Sequence, residues 1–256
     1  MLEKLINRIK ENRIKENKIN KDILKDEAKF LKDTDRYDFF GYFRDEEREL
    51  PVFITEGKVE DDCRMGEFIY VYTPKMLKHC VKYLTEDAKL KEAQDIEYFK
   101  KKCNKLAERA IYQEESWEGM ISSLVSYLQE FKKAKDYEAK VLANNDTFDK
   151  FDGVLNDVDN IPQFYSYNDE LTNGHLDLKC YENWIATPKI LKHCVEHLSD
   201  DAKHHEATYI ADFMYKCISL MFLDSDKLFL EQEWDDTLDI LVDYLEEYKK
   251  ANENNV

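Results

Sequence analysis

Apolar residues recur every three or four positions along much of the chain, which is the spacing of an amphipathic helix. One such stripe follows Thr187-Pro188 and an equivalent one follows Thr73-Pro74. Thr is a favoured N-cap residue and Pro is favoured at the first helical position, so each pair predicts a helix start. The two stripes consist of Ile190, Leu191, Cys194, Val195 and Leu198, and of Met76, Leu77, Cys80, Val81 and Leu84.

Two further helices are predicted after each of these starts. A longer helix is expected after Asp87, and again after Asp201, with an inward face made in the first case by Ala93, Ile96, Phe99 and Cys103. A closing helix is predicted around Trp117 and around Trp234, and burial of both indoles in the core is expected because large aromatic side chains are usually buried. Its apolar stripes are Trp117, Ile121, Leu124 and Leu128, and Trp234, Leu238, Leu241 and Leu245.

The predicted elements occur twice because the sequence itself repeats. Residues 73–89 match 187–203 at 12 of 17 positions, 114–135 match 231–252 at 10 of 22, and 26–53 match 137–164 at 9 of 28. A repeat of this length indicates duplication of a whole structural module of about 110 residues. The sequence therefore predicts a charged N-terminal helix or arm (1–25), module 1 (26–136), module 2 (137–252) and a short tail (253–256).

Short strands are predicted between the LPVF or IPQF motif and the Thr-Pro start of each module. The segments FIYVY (68–72) and QFYSY (163–167) are rich in aromatic residues, which favours one small β-hairpin per module. Only 6 Gly and 4 Pro interrupt the chain, so helices should predominate. The expected fold is thus α+β and predominantly helical, a short hairpin followed by about three helices in each module. An all-α fold is the alternative.

Composition points to a cytoplasmic protein. The N-terminal residues alternate charged and apolar side chains and lack the continuous apolar core of a signal peptide. No run of 18 apolar residues is present, so no membrane association is expected. The six cysteines form no CxxC pair, and four of them fall on predicted apolar helix faces as small hydrophobic residues, which suits a reducing compartment.

The net charge of −17 is concentrated in module 2. Residues 1–25 hold 8 Lys and Arg against 4 Asp and Glu, residues 26–135 hold 20 against 24, and residues 137–252 hold 10 against 25. Phosphates would be repelled by such a surface, so direct binding of nucleic acid is not expected outside the basic first 25 residues.

Part of this charge forms a defined surface on the closing helix of module 2. Helical spacing places four acidic residues on one side, away from the apolar stripe, where module 1 has Glu118, Ser122, Ser126 and Gln129. Like charges at this spacing destabilise a helix by a few tenths of a kcal/mol each, so a cationic partner would relieve a real cost. We expect Asp236 at the margin of this surface. The predicted partner-binding residues are Asp235, Asp236, Asp239, Asp243 and Glu246.

The function most consistent with the sequence is a non-catalytic, protein-binding protein that masks a basic partner, as an inhibitor or as an immunity protein against a toxin. No Gly-rich phosphate loop, GxSxG motif or HExxH motif occurs, and no catalytic residue or cofactor is predicted. One alternative is a metal-dependent hydrolase that uses the module 2 histidines, since His193 and His197 are i, i+4 neighbours near Cys194. Another is an inhibitor that mimics the charge of nucleic acid. Acidity that serves only solubility is the simplest alternative.

Overall fold

The computed structural model describes residues 25, 27–32, 36–45, 48–55, 66–109, 114–155, 160–166, 185–223 and 228–253. Nearly all of the predicted N-terminal arm, the tail, and Cys63 and Cys180 therefore lie outside the described residues. The chain divides into two compact units, Met1–Lys132 and Lys133–Val256, here called unit 1 and unit 2. The described part is mostly helical with a few antiparallel strands, as the sequence predicts.

Unit 1 opens with a three-stranded antiparallel sheet, in which β2 lies between β1 and β3. The strands are β1 (Phe39–Asp45), β2 (Arg48–Thr55) and β3 (Glu67–Ile69). The helices are α1 (Pro74–Lys82), α2 (Glu86–Gln94), α3 (Ile96–Ala107) and α4 (Glu114–Leu142). Helix α4 is continuous, and its last ten residues belong to unit 2.

Unit 2 also has strands followed by four helices, but its described sheet has two strands where that of unit 1 has three. Its antiparallel hairpin consists of β4 (Lys150–Leu155) and β5 (Asn160–Tyr165). The helices are α5 (Pro188–Glu196), α6 (Asp200–Thr208), α7 (Ile210–Leu223) and α8 (Glu231–Glu253). Helix α8 packs against α5, α6 and α7.

Each hairpin is fixed to its helices by aromatic contacts in the core. In unit 1 the rings of Phe40 and Phe53 stack at 4.2 Å, and Phe99 of α3 meets Phe40 edge-on at 5.9 Å. The equivalent rings in unit 2 repeat both contacts, at 4.3 and 5.9 Å. These rings are buried, and such aromatic pairs contribute beyond the area they bury. The unit 2 rings are Phe151, Phe164 and Phe213.

A buried ion pair joins three elements in each unit. Lys102 on α3 donates from Nζ to both Glu92 carboxylate oxygens, at 2.7 and 2.6 Å, and to the Phe40 carbonyl in β1 at 2.7 Å. In unit 2, Lys216 donates to Glu206 at 2.8 and 2.6 Å and to the Phe151 carbonyl at 2.8 Å. Each ammonium group thus uses its three protons within the core, where an unpaired charge would be costly.

The strand prediction is correct in position for part of QFYSY, since residues 163–165 lie in β5, but it misses β1, β2 and β4. LPVF and IPQF do not precede the hairpins but lie within β2 and β5, and β3 covers only the first part of FIYVY. Proline has no backbone N–H to donate, and it is tolerated in these strands because no neighbouring strand needs that donor at its position. Pro51 pairs with Tyr42 on one side, while β3 reaches only residues 53–55 on the other, and Pro162 lies in a two-stranded sheet.

The predicted long helix is also divided, so four helices follow the strands of each unit where about three were expected. Asp95 leaves the helical conformation at φ −128° and ψ 73°, and its carboxylate accepts from the Tyr98 N–H of the next helix at 3.0 Å. Tyr209 interrupts unit 2 at the equivalent place. The break leaves Ile96 half-buried, whereas Ala93, Phe99 and Cys103 face the core as predicted.

The predicted helix caps are confirmed and are open to a stability test. The Thr187 hydroxyl accepts from the Ile190 N–H at 3.1 Å, and the Thr73 hydroxyl accepts from the Met76 N–H at 3.2 Å, both in buried surroundings. Replacing either Thr by Ala leaves a buried N–H without its partner and should lower the free energy of unfolding by about 1–2 kcal/mol. Urea denaturation checks this, and the Ser variants, which retain the hydroxyl, should recover most of the loss.

Candidate protein interface

The acidic residues predicted to bind a partner lie on the outward side of α8. Trp234, Leu238, Leu241 and Leu245 are buried along one side of this helix, as predicted. The acidic face, defined as Asp235, Asp239, Asp243 and Glu246, is exposed along the other. Asp236 is exposed beside it and accepts from the Gln232 side chain at 2.6 Å.

Few cations compensate this face within its own helix. Helix α8 carries nine acidic residues and two lysines, Lys249 and Lys250, both near its C-terminal end. Lys250 lies 3.4 Å from Glu246, an exposed pair of small energetic value. The remaining members of the face continue for two turns with no lysine or arginine of α8 beside them, so like-charge repulsion acts along this part of the helix.

The equivalent surface of unit 1 has a different chemistry in the same structural position. Trp117, Ile121, Leu124 and Leu128 of α4 are buried as their unit 2 counterparts are. Their outward neighbours Glu118, Ser122, Ser126 and Gln129 are exposed and carry one charge where unit 2 carries four. The helix therefore packs equally well with a nearly neutral outer side, so the fold does not require the acidic face.

His193 and His197 of unit 2 make contacts within the local structure. The rings of His193 and His197 lie 4.1 Å apart, and each places one ring nitrogen against a backbone carbonyl, of Asn144 at 2.8 Å and of His193 at 2.9 Å. Burial raises the pKa of the Cys194 thiol to about 12, so it is protonated and a poor metal ligand or nucleophile at neutral pH. The described ranges contain no group of three His, Cys, Asp or Glu side chains placed to hold a metal ion.

An apolar surface on α7 was not predicted. The apolar face, defined as Met214, Tyr215, Ile218 and Phe222, is exposed, with Tyr215 at 71% and Phe222 at 82%. The sequence signal was available, because the polar residues of IADFMYKCISLMFL, Asp212, Lys216 and Ser219, share one narrow side of the helix and the rest of its surface is apolar. A difference in net charge between the two modules does not reveal this face, because its four residues are uncharged.

Comparison with known protein families, with curated proteins and with solved structures gives no match in any of the three. Among the helices that the structure describes, none combines the length and the apolar character needed to cross a bilayer. The features of unit 2 that bear on function are therefore the acidic face of α8 and the apolar face of α7.

Proposed function

We propose that this chain is a tandem duplication in which the second unit has become a protein-binding surface that masks a basic partner. Duplication is supported by features that recur residue for residue. Phe40 pairs with Phe53 in β1–β2 as Phe151 pairs with Phe164 in β4–β5, and the buried Lys–Glu pair contacts the equivalent hairpin carbonyl in both units.

The acidic face carries the functional part of the proposal. It is exposed, it is nearly uncompensated, and the unit 1 helix in the same position lacks it. A surface that the fold does not require, and that costs helix stability, is explained by a partner of opposite charge. Masking needs complementary shape and charge but no catalytic groups, so we propose an inhibitor or toxin-immunity role. The buried free cysteines Cys80, Cys103, Cys194 and Cys217 are compatible with a cytoplasmic location.

The partner can be sought directly. The tagged chain is used to retain proteins from its native lysate at ~50 mM and ~300 mM salt, since the screening length falls over this range. We expect one basic protein, retained stoichiometrically at the lower salt concentration and reduced at the higher one. An acidic protein, or retention that does not respond to salt, would contradict a charge-complementary interface.

A variant with the unit 1 residues on the acidic face tests which surface is used. The acid-swap variant, Asp235→Glu, Asp239→Ser, Asp243→Ser and Glu246→Gln, should keep its far-UV spectrum and unfolding midpoint because all four side chains are exposed. Association with the retained partner at ~50 mM salt should slow by about tenfold, through loss of electrostatic steering. Stopped-flow or surface-based kinetics give this rate.

The control removes the same number of charges from other exposed positions of unit 2. Glu196→Gln, Asp201→Asn and Glu253→Gln remove three negative charges, as the acid swap does. If position matters, the control should associate within about twofold of the wild-type rate. Equal slowing by both variants would show that only overall charge matters, and no slowing by the acid swap would exclude this face.

A further inference from the structure

The apolar face of α7 is a second surface that the fold does not require. Met214, Tyr215, Ile218 and Phe222 follow helical spacing and are 37, 71, 38 and 82% exposed. The opposite side of the helix is buried and includes Phe213, Lys216, Cys217 and Leu220. Exposed apolar side chains grouped on one helix are a feature of interaction sites, whereas isolated ones are ordinary.

Unit 1 shows that this helix packs as well with a polar outer side. The buried residues of α3 match those of α7 one for one, as Phe99, Lys102, Cys103 and Leu106. The four outward positions, however, are Lys100, Lys101, Asn104 and Glu108. Three charged residues and an amide in unit 1 thus correspond to four apolar side chains in unit 2, with the core unchanged. Neither burial nor helix capping accounts for the difference.

Charge determines what can cover this face. Helix α7 packs against α8, so a partner on α7 lies close to the helix with the acidic face. A second copy in a symmetric pair would bring two such acidic units together, which like-charge repulsion opposes. An anionic lipid surface is repelled for the same reason. The favoured occupant is apolar where it meets α7 and cationic around that contact.

We propose that the apolar face is the centre of the partner interface and accepts an amphipathic helix with one apolar stripe and flanking Lys or Arg residues. This inference depends on the proposed function and specifies the partner. Met214, Ile218 and Phe222 recur at i, i+4 and i+8, a row that packs between the side chains of a facing helix. The apolar contact holds the complex together, and the acidic face speeds its formation.

The test uses a synthetic peptide of ~18 residues, long enough for a helical stripe, with Leu at i, i+3, i+4 and i+7 and Lys elsewhere. Its binding to the full chain is followed by fluorescence anisotropy at ~50 and ~300 mM salt. Tyr215→Gln/Phe222→Gln removes the two most exposed apolar side chains without changing charge. Tyr70→Gln/Tyr72→Gln removes two exposed tyrosines from unit 1 and is the matched control.

We expect the Tyr215→Gln/Phe222→Gln variant to raise Kd by about tenfold or more at both salt concentrations, mainly through faster dissociation. The control should stay within about twofold of wild type. The acid-swap variant should slow association at ~50 mM salt and differ much less at ~300 mM. A peptide with Gln in place of every Leu should bind much more weakly than the original.

The outcomes separate this inference from the proposed function. Wild-type affinity in Tyr215→Gln/Phe222→Gln, together with slow association in the acid swap, would overturn the apolar interface and leave the masking role intact. Equal binding of the Leu-free peptide, or no binding of the original peptide, would also overturn it. A wild-type dimer that this variant converts to monomers in sedimentation would assign the face to a second copy. Unchanged kinetics in both variants would contradict both proposals.

Discussion

Replacing Lys102 by Met is expected to destabilise the protein by about 3–5 kcal/mol, because the change leaves the Glu92 carboxylate buried without its cation. Both side chains are almost completely buried, and Lys102 uses its three protons on Glu92 and the Phe40 carbonyl. The matching change in unit 2, Lys216→Met, should have a similar effect, since Glu206 and the Phe151 carbonyl are held in the same way. Urea denaturation at neutral pH measures both losses.

The pH dependence of the Lys102→Met loss follows from the direction of the Glu92 shift. Burial already raises the pKa of Glu92 in spite of Lys102, so removing the ammonium raises this pKa further. A carboxyl whose folded-state pKa is raised contributes stability that is present below its unfolded pKa and is lost as pH rises through the folded value. The loss caused by Lys102→Met should therefore be smaller at pH 5 than at pH 8. An equal loss at both would contradict a buried charge as its cause.

Replacing both members of the pair should be far less harmful than replacing one. Burial lowers the pKa of Lys102 as it raises that of Glu92, so desolvation of each charge outweighs their mutual attraction. A lysine with a lowered pKa loses its contribution to stability as pH falls through its folded-state pKa. Between the folded-state pKa values of Glu92 and Lys102 both side chains are charged, so both charges lower the stability of the folded state there. Glu92→Leu/Lys102→Met should then cost less than either single change, as a double-mutant cycle measures. A double variant as unstable as Lys102→Met would contradict this reasoning.

Local signals explain which parts of the fold could be predicted from sequence. The Thr-Pro helix starts, the apolar stripes and the burial of both tryptophans depend on spacing within one helix, and they are confirmed. The strands depend on pairing between segments, which composition does not reveal. FFGYF and LPVF contain Gly and Pro, which are depleted in strands, yet Gly41 pairs with Val52 in the same register that places Phe40 on Phe53.

The break between α2 and α3 shows a second limit of sequence patterns. Asp95 accepts from the Tyr98 N–H, and an acidic residue before an apolar helix is a recognised start signal. Unit 2 has Tyr209 at that place, with no capping carboxylate, and the helix is interrupted all the same. The geometry of the core, in which Lys216 must reach both Glu206 and the hairpin carbonyl, explains this better than any local residue.

Of the two surfaces of the candidate interface, the acidic face was predicted from the sequence and the apolar face was not. Charge periodicity identified the acidic face on α8, because like charges at i, i+4 are recognisable in a sequence. The apolar face could not be separated from core residues by hydropathy alone, since an apolar helix is usually a buried one. The α7 side chains that do not belong to the core are recognised only by comparison with the buried residues of α3, which are Phe99, Lys102, Cys103 and Leu106. The outward positions of α3 and α7, two helices that bury the same residue types, therefore indicate an interaction surface better than hydropathy does.

Replacing Trp234 by Ala should lower the free energy of unfolding by about 3–5 kcal/mol, since it leaves a large cavity beneath α8. Trp234 is 3% exposed and Trp117 1%, and neither indole N–H finds a hydrogen-bond partner among the residues that the structure describes. A buried donor without a partner costs about 1–3 kcal/mol. Trp→Phe removes this donor and keeps most of the apolar volume, so it should cost less than half as much as Trp→Ala at either position.

The tryptophan comparison is a test of what the indole contributes in both units. Urea denaturation followed by circular dichroism measures the Ala and Phe variants at positions 117 and 234 without using the fluorophore that is being removed. Equal losses for Phe and Ala would show that the N–H makes a stabilising contact, contrary to its surroundings here. Similar losses at positions 117 and 234 would show that the two tryptophans stabilise their units to the same extent. The outward residues of α4 and α8 would then differ, as Ser122 and Asp239 do, without affecting this contribution.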